Sequence, residues 1–371
     1  MRSTVIVAQP YIPEYRVAFF RRLSERLKQS GYDLEVFVSS TTSPNGDAAT
    51  SIPTARAGGL ASKRLLFRSG LLRRALADDV ALVVAEQASK NADFLPLLLM
   101  RRKGYRVCVW GHGGAYLGQR NALAARSRLW MAQSADAVFV YTRGGSEYLT
   151  RRGVPEHRIT VLNNTLDTDT LRRELNAVTS QDLEMFRSRL GLTPGKTALY
   201  IGRLDRNKGV EFLLNAVPYA VGVLPDFALV MGGVGNLRSK VESGQGQGLP
   251  IRYLGRLDGA RKALALRAAD AMAIPSWIGL VAVDSLVAGV PIVTRDNNSH
   301  APESEYLNRT TQSLWLPSSA SPKLFGEALA NLLSSPELIH MQTACRAEAD
   351  QHQLDEMVEA FHNGLMRCLH E

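Results

Sequence analysis

Short apolar runs alternate along this chain with longer stretches in which apolar residues return every three or four positions. In the first half the short runs are Thr4–Ala8, Leu34–Val38, Leu82–Ala85, Arg106–Trp110, Val138–Tyr141 and Ile159–Leu162. They are rich in β-branched or aromatic residues and too short for ordinary helices, so each predicts a strand. Helical periodicity fills the intervals, as at Val17 to Lys28 and Ala122 to Ser134. The second half repeats the rhythm. Strands are expected at Ala198–Ile201, Ala228–Met231, Ile251–Leu254, Ala271–Ile274 and Pro291–Thr294. Helices are expected at Gly209–Val217, Ala260–Ala269, Val281–Ala288 and Lys323–Ser334. Alternation of this kind specifies a parallel sheet covered on both faces, here twice over. The pattern therefore predicts an α/β chain of two Rossmann-like, doubly wound domains, with ligand bound in a crevice at the strands' carboxyl ends. The seam is expected near Asp167–Ala177, dividing the chain into 1–167 and 168–350, with a closing helix over 351–371 that returns to the first domain. The glycines at 244, 246 and 248 read as a flexible surface loop.

Length and composition agree with this plan. A chain of 371 residues exceeds one usual domain, and 45% apolar with 21% charged residues is globular rather than disordered. The longest apolar runs, such as Phe94–Met100, fall well short of a membrane span. The first residues carry one charge and then a strand-like run, which does not resemble a signal peptide. Three scattered cysteines, Cys108, Cys345 and Cys368, make neither a disulfide framework nor a zinc site. A cytoplasmic location is expected.

Charge changes the picture more. The net charge is +9, yet residues 1–167 hold 24 Lys and Arg against 13 Asp and Glu, while the remainder holds 20 against 22. All the excess sits in the first half and points to an anionic partner there. Its densest stretch runs from Ser62 to Arg74 and interleaves Lys63, Arg64, Arg68, Arg73 and Arg74 with leucines and a phenylalanine. Read as a helix, it could lie on an anionic membrane surface with those five side chains at the headgroups. It could equally be a core-packing helix with a solvated basic rim, because Arg64 and Arg68 fall inside the apolar arc. No aromatic platform accompanies the basic residues, so no nucleic-acid partner is expected.

The strongest chemical signal is Gly202-Arg203-Leu204-Asp205-Arg206-Asn207-Lys208-Gly209, which leaves a predicted strand and opens a helix. Fixed cations at the carboxyl end of an α/β strand, beside a helix start, suit a phosphate group. Further along come Gly232-Gly233-Val234-Gly235, Tyr253-Leu254-Gly255, Ala269-Asp270 before Pro275-Ser276, then Asp284, Gly289-Val290-Pro291 and Pro302-Glu303. In this order and spacing the series resembles the nucleotide-sugar-binding domain of glycosyltransferase family 4, a retaining group with the GT-B fold. Arg151-Arg152-Gly153-Val154-Pro155 and Ile159–Asn164 are similar to that family's passage between its domains.

The resemblance implies an acceptor-binding first domain and a donor-binding second domain. It also implies a metal-independent hexosyl transfer, with no metal site and no cofactor beyond the UDP- or GDP-sugar donor, to a glycan or lipid-linked acceptor. Arg203 and Lys208 would hold the diphosphate, and Gly202, Gly232 and Gly233 would let backbone approach the nucleotide. Negative charge building on a leaving diphosphate is what an Arg fork and a Lys point charge stabilise. Asp284 takes the second acidic place of the family's paired-glutamate motif, where a carboxylate accepts ribose hydroxyls, although Asp is shorter than Glu. The first acidic place is lost. Eight residues before Asp284 stands Ser276, in a loop about three residues short. Glu303 and Glu305 are the nearest replacements.

In the first domain, His112 follows a strand with Gly111, Gly113 and Gly114 around it, and by the resemblance contacts the donor sugar. A satisfied structural histidine would look the same. Glu14 and Arg16 lie where the family often has a glycine-rich loop. They would face acceptor or donor phosphates, or cap the helix that begins near Val17. Asp167-Thr168-Asp169 mimics a metal motif but lies at the seam and reads as coincidence. Two other functions remain compatible: a non-catalytic nucleotide-sugar-binding subunit, favoured by the missing glutamate, and a sugar-nucleotide epimerase of the same fold.

Overall fold

The computed structural model describes residues 3–39, 42–43, 46–47, 54–56, 59–61, 65–101, 104–114, 122–297 and 300–371. It divides into two compact units, one of Met1–Asp167 with Gln353–Glu371 and one of Thr168–His352.

The first unit is built on strands β1 (Ser3–Gln9), β2 (Tyr32–Val38), β3 (Thr54–Arg56), β4 (Val80–Glu86), β5 (Arg106–Gly111), β6 (Ala137–Val140) and β7 (Ile159–Val161). They form one parallel sheet in the order β7-β6-β5-β4-β1-β2-β3. Successive side chains of a strand point to opposite faces, and both faces here are covered. Val5 and Val7 therefore join one core while Ile6 and Ala8 join the other. The first core is closed by two helices. Val17–Gln29 buries Phe19, Phe20, Leu23 and Leu27, and Leu354–His370 buries Leu354, Met357, Val358, Phe361, Leu365 and Cys368. Both sets recur at helical spacing, the stripe that a sheet requires of a covering helix. Phe361 stacks on Phe139 at 4.4 Å, and Gly364 leaves room for the contact, since a Cβ there would meet Phe139 at 2.5 Å.

The second unit uses β8 (Thr197–Ile201), β9 (Ala228–Gly232), β10 (Ile251–Tyr253), β11 (Ala271–Ala273), β12 (Ile292–Asp296) and β13 (Ser313–Pro317). They are again parallel, in the order β10-β9-β8-β11-β12-β13. This is the doubly wound order, with its switch point between β8 and β11.

Three expectations need correction. The basic stretch is not one helix. Leu66–Arg68 is a short strand paired with Gly59–Ala61, and the helix starts at Ser69 and ends at Ala75. Arg68 is buried. Its Nε meets Asp93 Oδ2 at 2.5 Å, its backbone N–H donates to Asp93 Oδ1 at 2.6 Å, and its guanidinium also donates to the Gln9 carbonyl. Arg74 bonds Glu35 and Asp79 at 2.9 and 2.7 Å. Neither is a membrane-facing side chain. Arg73 is exposed, and Lys63 and Arg64 lie outside the described residues.

Second, the glycine-rich stretch from 244 is not all loop. Gly244 and Gly246 end the helix Arg238–Gly246, where Gly244 is buried against Leu249 and Ile251. Third, the helix expected to stop at Val217 continues through Pro218 to Val223. A proline costs an interior helix one backbone bond, and here packing outweighs that loss. Gly326 of the helix Pro322–Leu333 lies so close that a Cβ would come within 2.3 Å of the Ala216 carbonyl.

Candidate functional site

The residues of the phosphate expectation lie on the loop after β8. Arg206–Lys208 form a single 3-10 turn, and Gly209 follows at φ +73° before the helix Val210–Val223 begins. A side chain at Gly209 would be strained by that φ and would meet Pro275 at 3.0 Å, so the glycine seats this loop against the one after β11. Lys208 stands at the contact, at the switch point of the sheet. Its Nζ donates to the Trp277 carbonyl at 3.2 Å and lies 5.2 Å from the Trp277 ring centroid. Burial pushes the Lys208 amine down to about 8, with Glu303 and Asp205 opposing and Arg203 assisting. A lysine held this way is a desolvated point charge at the carboxyl end of a parallel sheet.

Arg203 is exposed and bonds Asp205 at 2.7 Å on the same loop. The loop is pinned beneath it by Tyr200, whose hydroxyl donates to the Arg203 carbonyl at 2.7 Å and whose ionisation is pushed up by burial. The glycines serve loop packing. A Cβ on Gly202 would meet the Tyr200 hydroxyl at 3.2 Å, one on Gly232 would meet Leu257 at 2.2 Å, and one on Gly233 would meet the Gly202 carbonyl at 1.8 Å. In each case the close neighbour is another part of the same unit.

Asp284 lies in the helix Val281–Ala288 and is buried, with Oδ1 accepting from Lys262 Nζ at 2.5 Å. Burial pushes its pKa up and Lys262 pulls against that. Nothing in the sequence singles out Lys262, whose helix, Gly259–Ala268, carries no motif. Glu303 is also buried, in the 3-10 segment Pro302–Tyr306, and its charge raises the pKa of Lys208. Trp277 is likewise absent from the sequence-derived site. It occupies the shortened loop at φ +52°, in the left-handed region where a bulky residue is an outlier.

In the first unit His112 follows β5. Gly113, at φ +71°, and Gly145 pack so tightly that a Cβ on either would come within 2.8 Å of the other segment's backbone. That contact fixes the His112 backbone, and its ring lies 4.7 Å from the Tyr141 ring. Burial, with Arg128 and Arg16 adding, pushes His112 from 6.5 down to about 4. It is therefore neutral near pH 7, able to hydrogen-bond but not to act as an imidazolium. A depressed folded-state pKa gives stability that is complete above 6.5 and lost as pH falls towards 4. Replacing His112 by Gln is expected to remove that part of the acid destabilisation, read from urea midpoints between those two pH values.

Arg16 is not presented at the surface. It is buried, donates to Asn164 Oδ1, and has its guanidinium 5.1 to 5.7 Å from the rings of Tyr15, Phe19, Trp110 and Tyr141. Nor does its side chain cap the helix after it. Its setting is an aromatic cage. Glu14 is exposed on the turn before it. Among the described residues no group of three or more His, Cys, Asp or Glu could hold a metal ion, and no helix is long and apolar enough to cross a membrane.

Two doubly wound parallel units in one chain make up the GT-B fold. The match to solved structures is near-complete in length. The Anabaena Alr3699/HepE structure in complex with UDP superposes with a TM-score of 0.72 over 99% of this chain and 100% of that one, at 13% identity. WaaG, a glycosyltransferase involved in lipopolysaccharide biosynthesis, gives 0.69 over 97% and 98%, at 15% identity.

Residues 17–165 match the family profile described as glycosyl transferase 4-like domain, and residues 195–335 match glycosyl transferases group 1. The chain belongs to this family of glycosyltransferases. Among curated relatives, the phosphatidyl-myo-inositol mannosyltransferase of Mycobacterium leprae is 36% identical over 107 residues, 28% of this chain and 29% of that one. The glycogen synthase of Thermus caldophilus is 36% identical over 122 residues, 30% and 26% of the two chains. These matches span less than a third of the relatives' length.

Proposed function

We propose that the chain is a retaining, metal-independent hexosyltransferase using a UDP- or GDP-sugar, and that Lys208 is the cation receiving the diphosphate. The observation that carries this is the desolvated Lys208 ammonium at the switch point between β8 and β11. Arg203 joins it on releasing Asp205, Glu303 replaces the missing first glutamate towards the donor sugar, and Asp284 keeps its second oxygen for ribose while the first holds Lys262. In the transfer step the bond from the anomeric carbon to the diphosphate breaks and one to the acceptor oxygen forms on the same face. The acceptor proton passes to the departing diphosphate. His112 contributes a hydrogen bond from a neutral ring. Thermal shift with UDP, GDP and their sugars tests this, because a ligand at a hundred times its Kd adds about 2.7 kcal/mol to stability. No shift with any of them would overturn the donor assignment.

We further propose a lipid-linked acceptor reached at the cytoplasmic membrane face, but through a different surface from the basic stretch. Leu95 and Leu99, four residues apart on the helix Phe94–Met100, are 49% and 69% exposed. Trp130, 40% exposed, packs edge-on against Phe94 of the same helix at 5.4 Å. Exposed leucines and a tryptophan in a unit with excess positive charge fit an anionic bilayer. Flotation with anionic vesicles at low salt is expected for the wild type and is expected to be lost with Leu95→Gln and Leu99→Gln together. A wild type that stays in solution would end this reading. The short loop carrying Trp277 favours one alternative, a nucleotide-sugar-binding subunit without turnover, which would show donor binding and no transfer.

A further inference from the structure

The loop between β11 and the helix Val281–Ala288 is fastened from one side, by the end of β12 and the segment after it. Arg295 Nε and Asn297 Nδ2 donate to the Pro275 carbonyl at 3.2 and 3.4 Å, and Asn297 also reaches the Ser276 hydroxyl at 3.3 Å. His300 makes the decisive attachment. Its Nδ1 accepts from the backbone N–H of Ile278 at 3.0 Å, and its Nε2 lies 2.8 Å from the Arg295 carbonyl. A ring that accepts at Nδ1 and faces a carbonyl at Nε2 carries its proton on Nε2, so these two partners select one neutral tautomer. The Ile278 carbonyl accepts in turn from Ala301 at 2.8 Å. Just before this clamped residue stands Trp277 at φ +52°, with its carbonyl on Lys208.

We propose that His300 is a positioning residue for Lys208: by gripping the Ile278 amide it holds Trp277 in its left-handed conformation and so keeps the Trp277 carbonyl and ring on the ammonium. This rests on Lys208 being the diphosphate-binding cation. A lysine side chain has four rotatable bonds, and placing its charge needs a fixed partner. Without the Nδ1 acceptor the buried Ile278 N–H is orphaned, and the backbone gains by relaxing Trp277 to an ordinary φ. The carbonyl then turns away from Lys208. The brace requires an unprotonated ring. Burial pushes the His300 pKa down and keeps the ring neutral near pH 7; the hydrogen bond to the Arg295 carbonyl and the Asp296 charge oppose this, and the Arg309 and Arg295 charges assist it. Asp296 is itself paired with Arg309 at 3.1 Å, and the imidazole meets the Trp315 ring edge-on at 5.0 Å.

His300→Phe keeps a ring against Trp315 and removes both hydrogen bonds, while His300→Gln restores an acceptor and a donor. The measurements are kcat and KM for the donor sugar as a function of pH, with folding checked by circular dichroism. The Phe variant is expected to raise donor KM at least tenfold and to move the alkaline limb upward, because a released Lys208 is no longer desolvated. The Gln variant is expected to recover most of both. A folded Phe variant with unchanged donor KM and limb would overturn the proposal. If that variant does not fold, His300→Asn, too short to span both partners, is read in its place against the same two outcomes. Should Lys208→Ala retain normal donor KM and kcat, the phosphate reading itself fails. Should Lys208→Ala be crippled and the His300 variants behave as wild type, only the positioning role is lost.

Discussion

Lys208→Ala is expected to lower kcat with the donor sugar by about a hundredfold to a thousandfold, roughly 3 to 4 kcal/mol of transition-state stabilisation, while the fold survives. The fold should survive because the lysine is half-buried at a loop and its partners are a carbonyl and a ring face. The pH profile supplies an independent signature. In the free protein the Lys208 amine is pulled down to about 8, so the fraction carrying charge falls as pH rises through that value. A donor diphosphate binds the charged form, hence kcat/KM should decline above about 8. Lys208→Arg, which stays charged, should lose that limb even if its activity is lower. Near-normal turnover by Lys208→Ala would remove the phosphate clamp from the account. Arg203→Ala is expected to cost less, since its guanidinium is exposed and already engaged by Asp205.

Arg68→Gln is expected to destabilise the first unit by about 3 to 5 kcal/mol, because it strands the Asp93 carboxylate in the core. Both side chains of this pair are essentially inaccessible, at 1% and 0% exposure. The carboxylate also accepts the Arg68 backbone N–H, so it ties the short strand Leu66–Arg68 to the start of the helix Phe94–Met100. Urea denaturation would show the loss as a lower midpoint. Arg73→Gln, on an exposed side chain of the adjoining helix, should leave the midpoint within about 0.5 kcal/mol of wild type. Equal effects of the two variants would contradict the buried pair. The contrast also matters for membrane assays. Any charge-removal set that includes Arg68 would mix a loss of stability with a loss of binding.

Much of the architecture could be read from the chain because parallel strands buried on both faces are written as unbroken apolar runs. Thr4–Ala8, Leu82–Ala85 and Ala228–Met231 are of this kind, and each lies within a strand of the structure. The edge strand Ser313–Pro317 was not legible, since its burial is partial and its sequence, Ser-Leu-Trp-Leu-Pro, carries no extended pattern. The short strand at Leu66–Arg68 was hidden for a related reason. Three residues are too few to show a period of two, and the helical spacing of the leucines and arginines after them dominates the window. At the site, Lys208 and the glycines announced themselves through their position after a strand. Lys262, Trp277 and His300 did not, because each acts through a contact with a residue distant in sequence or with its backbone. A charged partner, a left-handed φ and a tautomer are properties of the folded chain. The one available signal was negative: a loop three residues short has to be held by something else.

The helix Leu354–His370 belongs to the first unit, although the whole second unit separates it in sequence from the rest. In covalent terms the second unit is therefore an insertion, entered once after Asp167 and left once before Gln353. Residues 168–352 are therefore the fragment in which the proposed donor binding can be tested separately. A fragment of residues 1–167 would lack Phe361, Met357 and Leu365, which fill the core beside β5 and β6. To express the first unit alone, residues 353–371 have to be rejoined to residue 167 by a linker or supplied as a separate peptide. Cuts made at the helix's own start would change that unit's stability without altering a single residue of the loop that carries Lys208.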